Sequence, residues 1–186
     1  MFKKLDIIDD INKNENKLLR SISKEVTFPL SNEDKEIIEH IIKHLTYSQI
    51  EEYEKKYDLR PGMGLAFPQL GILKRIIVIV DEYEEGKFEN YVVINPEIVS
   101  NSKEMIAADA GEGCLSVNRE VEGHVPRFAR VTVEGYDIDG NKIKIRAREE
   151  LSIAFQHEID HLNGILFYDR INKDKPFYSD YEIRLI

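Results

Sequence analysis

Two histidines and a glutamate near the end of this 186-residue chain, in the segment FQHEIDHLNG (155–164), have the spacing of a metal-binding helix. On a helix, positions four apart lie about 40° apart around the axis and about 6 Å along it, so His157 and His161 can bind one metal ion. Glu158 directly follows the first histidine and could take a proton from a water molecule that the metal holds. The alternative is a helix that carries two ordinary, partly buried histidines.

A second histidine pair serves as an internal comparison. His40 and His44, in HIIKH, have the same spacing, but no glutamate follows the first histidine. The apolar face of their segment already explains its pattern, so we interpret this pair as surface or core-edge histidines.

Two histidines do not complete a metal site, so a third ligand is needed. The extension HExxHxxGxxH of one zinc-protease class is absent, because position 167 is phenylalanine, and the only glutamate after His161 is Glu182. The single cysteine, Cys114, lies upstream in GEGCLSV (111–117). Taken alone, a single cysteine is most often a small buried hydrophobic residue. Combined with two histidines, however, a thiolate leaves one position open for water, which is the arrangement of a catalytic site.

Composition and length limit the remaining possibilities. A chain of this length predicts one domain over residues 1–186, with residues 1–20 as a helical or loosely docked arm. The formal net charge of −9 argues against a nucleic-acid partner, and no apolar run is long enough to span a membrane. Asp6, Asp9 and Asp10 interrupt the stretch that would have to be apolar in a signal peptide. We therefore expect a cytoplasmic protein.

The hydrophobic pattern predicts the elements that must position the motif. Helical periodicity indicates one helix over roughly 33–55, and RIIVIV (75–80) and YVVIN (91–95) are typical of buried strands. Two alternating runs flank Asp139-Gly140 within 130–147, which indicates a β-hairpin. The motif helix should cover 148–164 and end at Asn163-Gly164. The predicted fold is α+β, with an N-terminal helix and antiparallel β-sheets packed around a late helix that carries the HExxH motif.

Three blocks, taken together, resemble the peptide deformylase family: GMGLAFPQLG (62–71), EGCLS (112–116) and QHEIDH (156–161). The segments FPLSNEDKE, KYDLRPGMG, VPRFARVTV and FQHEIDHLNGILFYDRI extend the similarity to the longer, Gram-positive-type branch, over roughly residues 18–186.

The resemblance implies a site and a reaction. Cys114, His157 and His161 would bind one divalent metal ion, usually Fe²⁺, which Ni²⁺ or Co²⁺ can replace and Zn²⁺ replaces with lower activity. Thiolate and imidazole ligands alone do not distinguish iron from zinc. Glu158 would be the general base for removal of the formyl group from N-formylmethionyl peptides and nascent chains, with formate as product. A transient ribosome contact is also expected of an enzyme that acts on nascent chains. The side chain of Gln69 and the N–H of Leu115 would stabilise the charge that develops on the formyl oxygen.

The same resemblance implies a substrate pocket and a brace behind the ligands. The methionine pocket would include Leu115 together with Met63, Ile153 and Ala154, while Gly62 and Gly64 would let the backbone approach an extended peptide. Glu112 is expected to pair with Arg127 and so brace the segment that carries the cysteine. Asp160 has no assigned role. Phe67 replaces an alanine that is usual in the family, and a phenyl ring there should displace something close to Gln69.

Two other functions compete with this interpretation. A small metallopeptidase would cut internal peptide bonds, but Cys114 and Gln69 argue against it. A metal-binding or interaction protein that keeps the fold without catalysis would bind metal and release no formate.

Overall fold

The computed structural model describes residues 2–179 and 182–186, and within these residues it contains four α-helices and eight β-strands. The helices are α1 (Lys13–Leu19), α2 (Asn32–Ser48), α3 (Glu51–Tyr57) and α4 (Glu149–Leu162). The strands are β1 (Gly64–Ala66), β2 (Ile76–Glu84), β3 (Lys87–Asn101), β4 (Met105–Ala107), β5 (Arg127–Phe128), β6 (Arg130–Tyr136), β7 (Lys142–Arg148) and β8 (Ile183–Leu185). Short 3-10 helices cover Phe67–Leu70 and Phe167–Arg170. In the described part of the chain, no helix is long and apolar enough to cross a membrane.

The strands form two sheets, and the α+β prediction is confirmed. The larger sheet has the order β1-β2-β3-β6-β7 and is antiparallel throughout, while the smaller has the order β5-β4-β8. One pair departs from the antiparallel pattern, because β8 pairs parallel with β4 at Met105↔Ile183. A parallel pair needs a long connection between its strands, and the chain from β5 through α4 supplies it.

Strand β2 is buried on both faces, which explains its continuous apolar sequence. On one face, Ile77 and Ile79 lie in a core cluster with Phe155 and Leu162 of α4. On the other face, the alternate residues of β2 lie in a second core cluster with residues of α2. In this second cluster, β2 contributes Ile76, Val78 and Val80, and α2 contributes Ile38, Ile41 and Leu45. The large sheet is therefore a central layer with α4 on one face and α2 on the other.

The single helix predicted over 33–55 is wrong, because two helices occupy this segment. Helix α2 ends at Ser48, and Ile50 has an extended backbone (φ −109°, ψ 113°) immediately before α3. At the break, the side chain of Gln49 donates hydrogen bonds to the carbonyl oxygens of Gly62 (3.2 Å) and Val80 (3.0 Å). These bonds tie the end of α2 to the segment that leads into β1.

The local predictions for the hairpin and the motif helix are confirmed. Strands β6 and β7 pair across a turn in which Gly140 has a φ of 84°. Helix α4 covers Glu149–Leu162, with Asn163 as its C-cap and Gly164 in the left-handed region at φ 71°. A left-handed residue after the cap is a common helix ending, and glycine adopts it at low cost.

The N-terminal segment is docked by hydrogen bonds, and of its described residues, 2–20, Lys13–Leu19 form a helix. The Ile8 N–H donates to the carbonyl of Gln69 (2.9 Å), and the Asp10 N–H donates to that of Ser116 (3.0 Å). The buried carboxylate of Asp10 accepts two hydrogen bonds from Arg119 (2.6 and 2.8 Å). The segment therefore contacts two of the three motif blocks directly.

His44 connects this segment to α2. Its ring is buried, and its Nδ1 accepts a hydrogen bond from the Leu5 N–H (3.3 Å). Burial, with the nearby charges of His40 and Lys4, lowers the pKa of His44 from 6.5 to about 4. The ring is therefore neutral at physiological pH, as its acceptor role requires.

We expect the free energy of unfolding to decrease as the pH falls from about 6.5 toward about 4, because His44 takes up a proton in the unfolded chain before it does so in the folded one. His44→Asn keeps an acceptor near the position of Nδ1 and cannot be protonated, so it should remove about 1–3 kcal/mol of this pH dependence. Urea unfolding over this pH range measures the effect. His40→Asn is the control and should retain most of the dependence, because burial is the largest cause of the His44 shift. Equal slopes for wild type and His44→Asn would contradict the prediction.

Candidate metal centre

Helix α4 brings the histidines and glutamate of the motif into the interior. His157, Glu158 and His161 are 9%, 4% and 1% exposed, and the centroids of the two imidazole rings are 5.0 Å apart. The helix packs on the large sheet through its apolar residues, which leaves these polar side chains at the edge of that contact. Their positions therefore follow from the helical period and from which face of α4 the sheet covers.

Cys114 approaches the same point from the loop before β5. Its Sγ lies 3.2 Å from Nε2 of His161, although the two residues are 47 positions apart. The sulfur and one nitrogen from each histidine all lie within 4.8 Å of one another. Within residues 2–179 and 182–186, this is the only group of three or more His, Cys, Asp or Glu side chains with that geometry. One thiolate and two imidazoles fit a divalent transition metal and leave a coordination position open.

A buried charge network holds the first histidine in place. Oε2 of Glu112 lies 2.8 Å from Nδ1 of His157, so the other ring nitrogen is free to face the sulfur. Arg127 donates two hydrogen bonds to Glu112 (2.7 and 2.9 Å) and one to Asp160 (2.6 Å). Arg170 donates two more to Asp160 (2.6 and 2.5 Å). Asp160 had no role assigned from the sequence, yet its carboxylate links the ligand helix to both arginines.

The two glutamates beside the histidines have opposite pKa shifts. Burial alone would raise the pKa of Glu112, but Arg127 and His157 outweigh it and lower this pKa to about 2. Burial raises the pKa of Glu158 to about 7, and its Oε2 has no hydrogen-bond partner in the described structure. A partnerless, buried carboxylate with a pKa near neutrality is suited to exchanging protons with a bound molecule.

The histidine pKa values also diverge. Burial lowers the pKa of both rings, and for His161 the charge of His157 adds to this effect. For His157, the hydrogen bonds with Cys114 and Glu112 outweigh burial and raise the pKa. The two imidazoles therefore lie in different electrostatic surroundings.

Gln69, in the 3-10 helix Phe67–Leu70, lies beside the sulfur. Its Oε1 accepts a hydrogen bond from the Ala66 N–H (2.8 Å), which fixes the orientation of the amide. Its Nε2 donates to Oγ of Ser116 (3.2 Å) and lies 3.6 Å from Sγ of Cys114. A neutral donor is thus held beside the candidate metal position.

Gly62, just before β1, and Gly64, the first residue of β1, permit close packing against the site. A Cβ on Gly64 would lie 2.5 Å from Oε1 of Glu158, and one on Gly62 would lie 2.9 Å from Cδ1 of Leu115. Neither glycine has a positive φ, so the requirement is for space and not for a special backbone conformation.

A cavity of about 400 Å³ opens beside these groups. Its lining includes the predicted pocket residues and most of the predicted reactive ones: Gly62, Met63, Gly64, Gln69, Glu112, Cys114, Leu115, Ile153, Ala154, His157 and Glu158. His161 and Arg127 are not in its lining. Arg60 and Glu150 also line it, and the sequence interpretation assigned them no part. In the sequence, only their positions could have indicated a place in the cavity: Arg60 precedes the first block, and Glu150 lies seven residues before His157.

Two phenylalanines near the motif blocks have structural roles. Phe67 is fully buried in the cluster on the α2 side of the sheet and does not line the cavity. The phenyl ring of Phe67 therefore occupies space in the core on the α2 side of the sheet and not in the cavity beside Gln69. Phe167, where a zinc protease would have its third histidine, lies nearly parallel to the ring of His157, with centroids 6.1 Å apart.

Comparisons with known proteins agree on one family. The family model for polypeptide deformylase matches residues 8–177. A peptide deformylase of Listeria welshimeri is 47% identical over 171 residues, covering 92% of this chain and 93% of the relative. Peptide deformylase 2 of Bacillus anthracis is 45% identical over 168 residues, covering 90% and 91%. The crystal structure of peptide deformylase from Thermotoga maritima matches with a TM-score of 0.69 at 32% identity, covering 91% of this chain and 99% of that one.

We expect Glu112→Gln to weaken metal binding about 10–100-fold, because the hydrogen bond that orients His157 loses its charge. Removing one partner of a buried ion pair should also lower the free energy of unfolding by about 3–5 kcal/mol. Chelator competition and urea unfolding measure the two effects. Glu134→Gln, which removes an exposed partner of Lys144, is the control and should leave metal affinity unchanged. Wild-type metal affinity in Glu112→Gln would show that this brace is unimportant.

Proposed function

This chain belongs to the polypeptide deformylase family, and we propose how its own residues perform the reaction of that family. The protein is a metal-dependent hydrolase that removes the N-formyl group from the N-terminal methionine of newly synthesised proteins and releases formate. The observation that carries the residue assignment is the convergence of Cys114, His157 and His161 beside Glu158, whose Oε2 is buried and has no partner.

Cys114, His157 and His161 would hold one divalent metal ion. When bound, that ion supplies a Lewis acid that activates a water molecule and polarises the formyl carbonyl. We propose Fe²⁺ as the native metal on the strength of the family resemblance, with Ni²⁺, Co²⁺ or Zn²⁺ able to occupy the same ligands. The contact between Glu112 and His157 supports this ligand set, because a carboxylate behind an imidazole fixes which nitrogen faces the metal.

Glu158 would accept a proton from the attacking water and later pass it to the leaving amine. Its pKa of about 7 favours both transfers, since the carboxyl group then changes protonation state at little cost near neutral pH. The lack of a protein partner for Oε2 supports this role, because an oxygen already bound to the protein would be a poorer base.

Gln69 and the Leu115 N–H would stabilise the negative charge that develops on the formyl oxygen. The amide of Gln69 is held by the Ala66 N–H, so its NH₂ group is pre-oriented toward the sulfur side of the site. Donors that are fixed before the reaction need no reorganisation when the charge appears.

The peptide would lie along β1 with its methionine side chain in the cavity. Strand β1 is an edge strand of the large sheet, and an edge strand can pair with an extended peptide. Met63, Leu115, Ile153 and Ala154 would form an apolar pocket for the thioether, and the backbone of Gly62 to Gly64 would bind the peptide main chain. The substrate would be a nascent chain in the cytoplasm, reached through a transient ribosome contact, with no nucleic-acid or membrane partner. Residues 1–186 would act as one catalytic domain.

Anaerobic purification, metal analysis and formate release from a formyl-Met peptide test this proposal. We expect about one metal ion per chain and formate only from the formylated peptide, with no cleavage of its unformylated twin. Internal cleavage of the twin would indicate a peptidase, and bound metal without formate release would indicate a protein that does not catalyse deformylation.

Glu158→Gln should keep the fold and the metal but lower kcat by at least 10²–10⁴-fold, because it retains shape and removes the proton acceptor. KM should change little, since the pocket and β1 provide the peptide contacts. Steady-state kinetics and metal analysis measure both quantities. Loss of metal from this variant would make Glu158 a ligand, and full turnover would place the general base elsewhere.

A further inference from the structure

Arg60 contacts the turn that carries Cys114 at several main-chain positions. Its Nη2 donates to the carbonyl oxygens of Cys114 (3.0 Å) and Val117 (3.3 Å). Its Nη1 donates to the carbonyl oxygen of Leu115 (3.3 Å) and to Oδ1 of Asn118 (2.8 Å). Three carbonyl groups of one turn therefore converge on one guanidinium, which the planar fork of arginine allows.

These contacts fix the direction of two peptide groups. In a planar trans peptide, the C=O and the N–H point in opposite directions. Because Arg60 binds the Cys114 carbonyl, the Leu115 N–H in the same peptide group points away from Arg60. Because Arg60 also binds the Leu115 carbonyl, the Ser116 N–H points away as well, and it lies 3.4 Å from Sγ of Cys114.

Both N–H groups therefore point to the side of the turn away from Arg60, where the Ser116 N–H meets the sulfur. Successive main-chain N–H groups that face one side form a concave site that favours negative charge. One of them contacts the sulfur, and the other is the donor proposed above for the formyl oxygen. The direction in which each N–H points depends on where the carbonyl group of the same peptide unit is held.

We infer that Arg60 is a positioning residue for the reaction: it orients the Leu115 N–H toward the formyl oxygen and the Ser116 N–H toward the metal-binding thiolate. This inference rests on the proposed function, because that function assigns the thiolate and the oxyanion donor. Arg60 does not contact the reacting atoms itself; it acts through the turn.

The turn does not need Arg60 in order to form. The Val117 N–H donates to the Cys114 carbonyl (3.1 Å), and the Asp10 N–H holds the Ser116 carbonyl (3.0 Å). Arg60 itself is an exposed residue that contributes to none of the core clusters. A substitution at Arg60 should therefore loosen the peptide orientations without unfolding the protein.

The test compares Arg60→Gln and Arg60→Lys with the wild type and with Arg146→Gln, which changes an exposed arginine on β7. Four measurements are made: steady-state kinetics with a formyl-Met peptide, which give kcat and KM; metal affinity by chelator competition; the thiolate-to-Co²⁺ charge-transfer band of the Co²⁺ form; and thermal unfolding. For Arg60→Gln we expect kcat to fall about 10–100-fold with KM within about threefold, since a misdirected donor weakens stabilisation of the transition state.

The metal readouts should change in the same variant. We expect metal affinity to fall about 10–100-fold and the charge-transfer band to move to longer wavelength, because the thiolate loses an oriented N–H donor. Arg60→Lys should recover only part of each effect, since an ammonium group lacks the fork that binds two carbonyl groups. Arg146→Gln should match the wild type in all four measurements.

Three results would overturn the inference. The first is wild-type kcat, metal affinity and band position in Arg60→Gln. The second is a rise in KM alone, which would make Arg60 a substrate contact. The third is lowered thermal stability of Arg60→Gln with an unchanged band and unchanged metal affinity. If the wild-type protein itself released no formate, the proposed function would fail, while the band and the affinity would still decide whether Arg60 positions the turn.

Discussion

The buried guanidinium of Arg127 is the interaction on which the site depends. This side chain is 1% exposed, and a charge so far from water is stable only when it is paired and fully hydrogen-bonded. Its partners come from two separate parts of the chain, Glu112 beside the cysteine and Asp160 on α4. By binding both, Arg127 fixes the distance between the cysteine loop and the ligand helix. The network therefore helps to hold the thiolate and the imidazoles at one point.

The same network gives different pKa values to two chemically identical side chains, Glu112 and Glu158. Glu112 and Glu158 both lie next to His157 in space or in sequence, but only Glu112 is bound by the guanidinium. Its pKa is lowered to about 2, so it remains an anion that orients the imidazole. Glu158 is buried without such a partner, and its pKa rises to about 7, so it can gain and lose a proton. Opposite shifts in neighbouring carboxyl groups commonly separate a structural anion from an acid–base group.

Close backbone packing completes the enclosure of the site. Gly64 lets β1 approach Glu158 more closely than any residue with a Cβ would, and Gly62 does the same for Leu115. The N-terminal segment adds two contacts, in which the N–H groups of Ile8 and Asp10 donate to the carbonyl groups of Gln69 and Ser116. The loop that carries the cysteine is thus held by Arg127 through Glu112, by the N-terminal segment through Ser116, and by Arg60 through three carbonyl groups. Several weak contacts on one turn restrict its motion more than any single one would.

The sequence by itself determined the features that depend on local geometry and side-chain chemistry. Helical spacing placed His157 and His161 on one face, Gly164 marked the helix end, and Asp139-Gly140 marked the hairpin, because each of these depends on residues a few positions apart. The motif blocks indicated the family for the same reason. Only the tertiary structure decided what depends on residues distant in the chain. The pairing of Asp160 with Arg127 and Arg170, the parallel pairing of β8 with β4, the break at Gln49 and the burial of Phe67 on the α2 side all require contacts that no local pattern encodes. The physical reason is that buried charges and main-chain groups take whichever partner the packed fold brings within hydrogen-bond distance, and that partner is set by the arrangement of the sheets and not by neighbours in sequence.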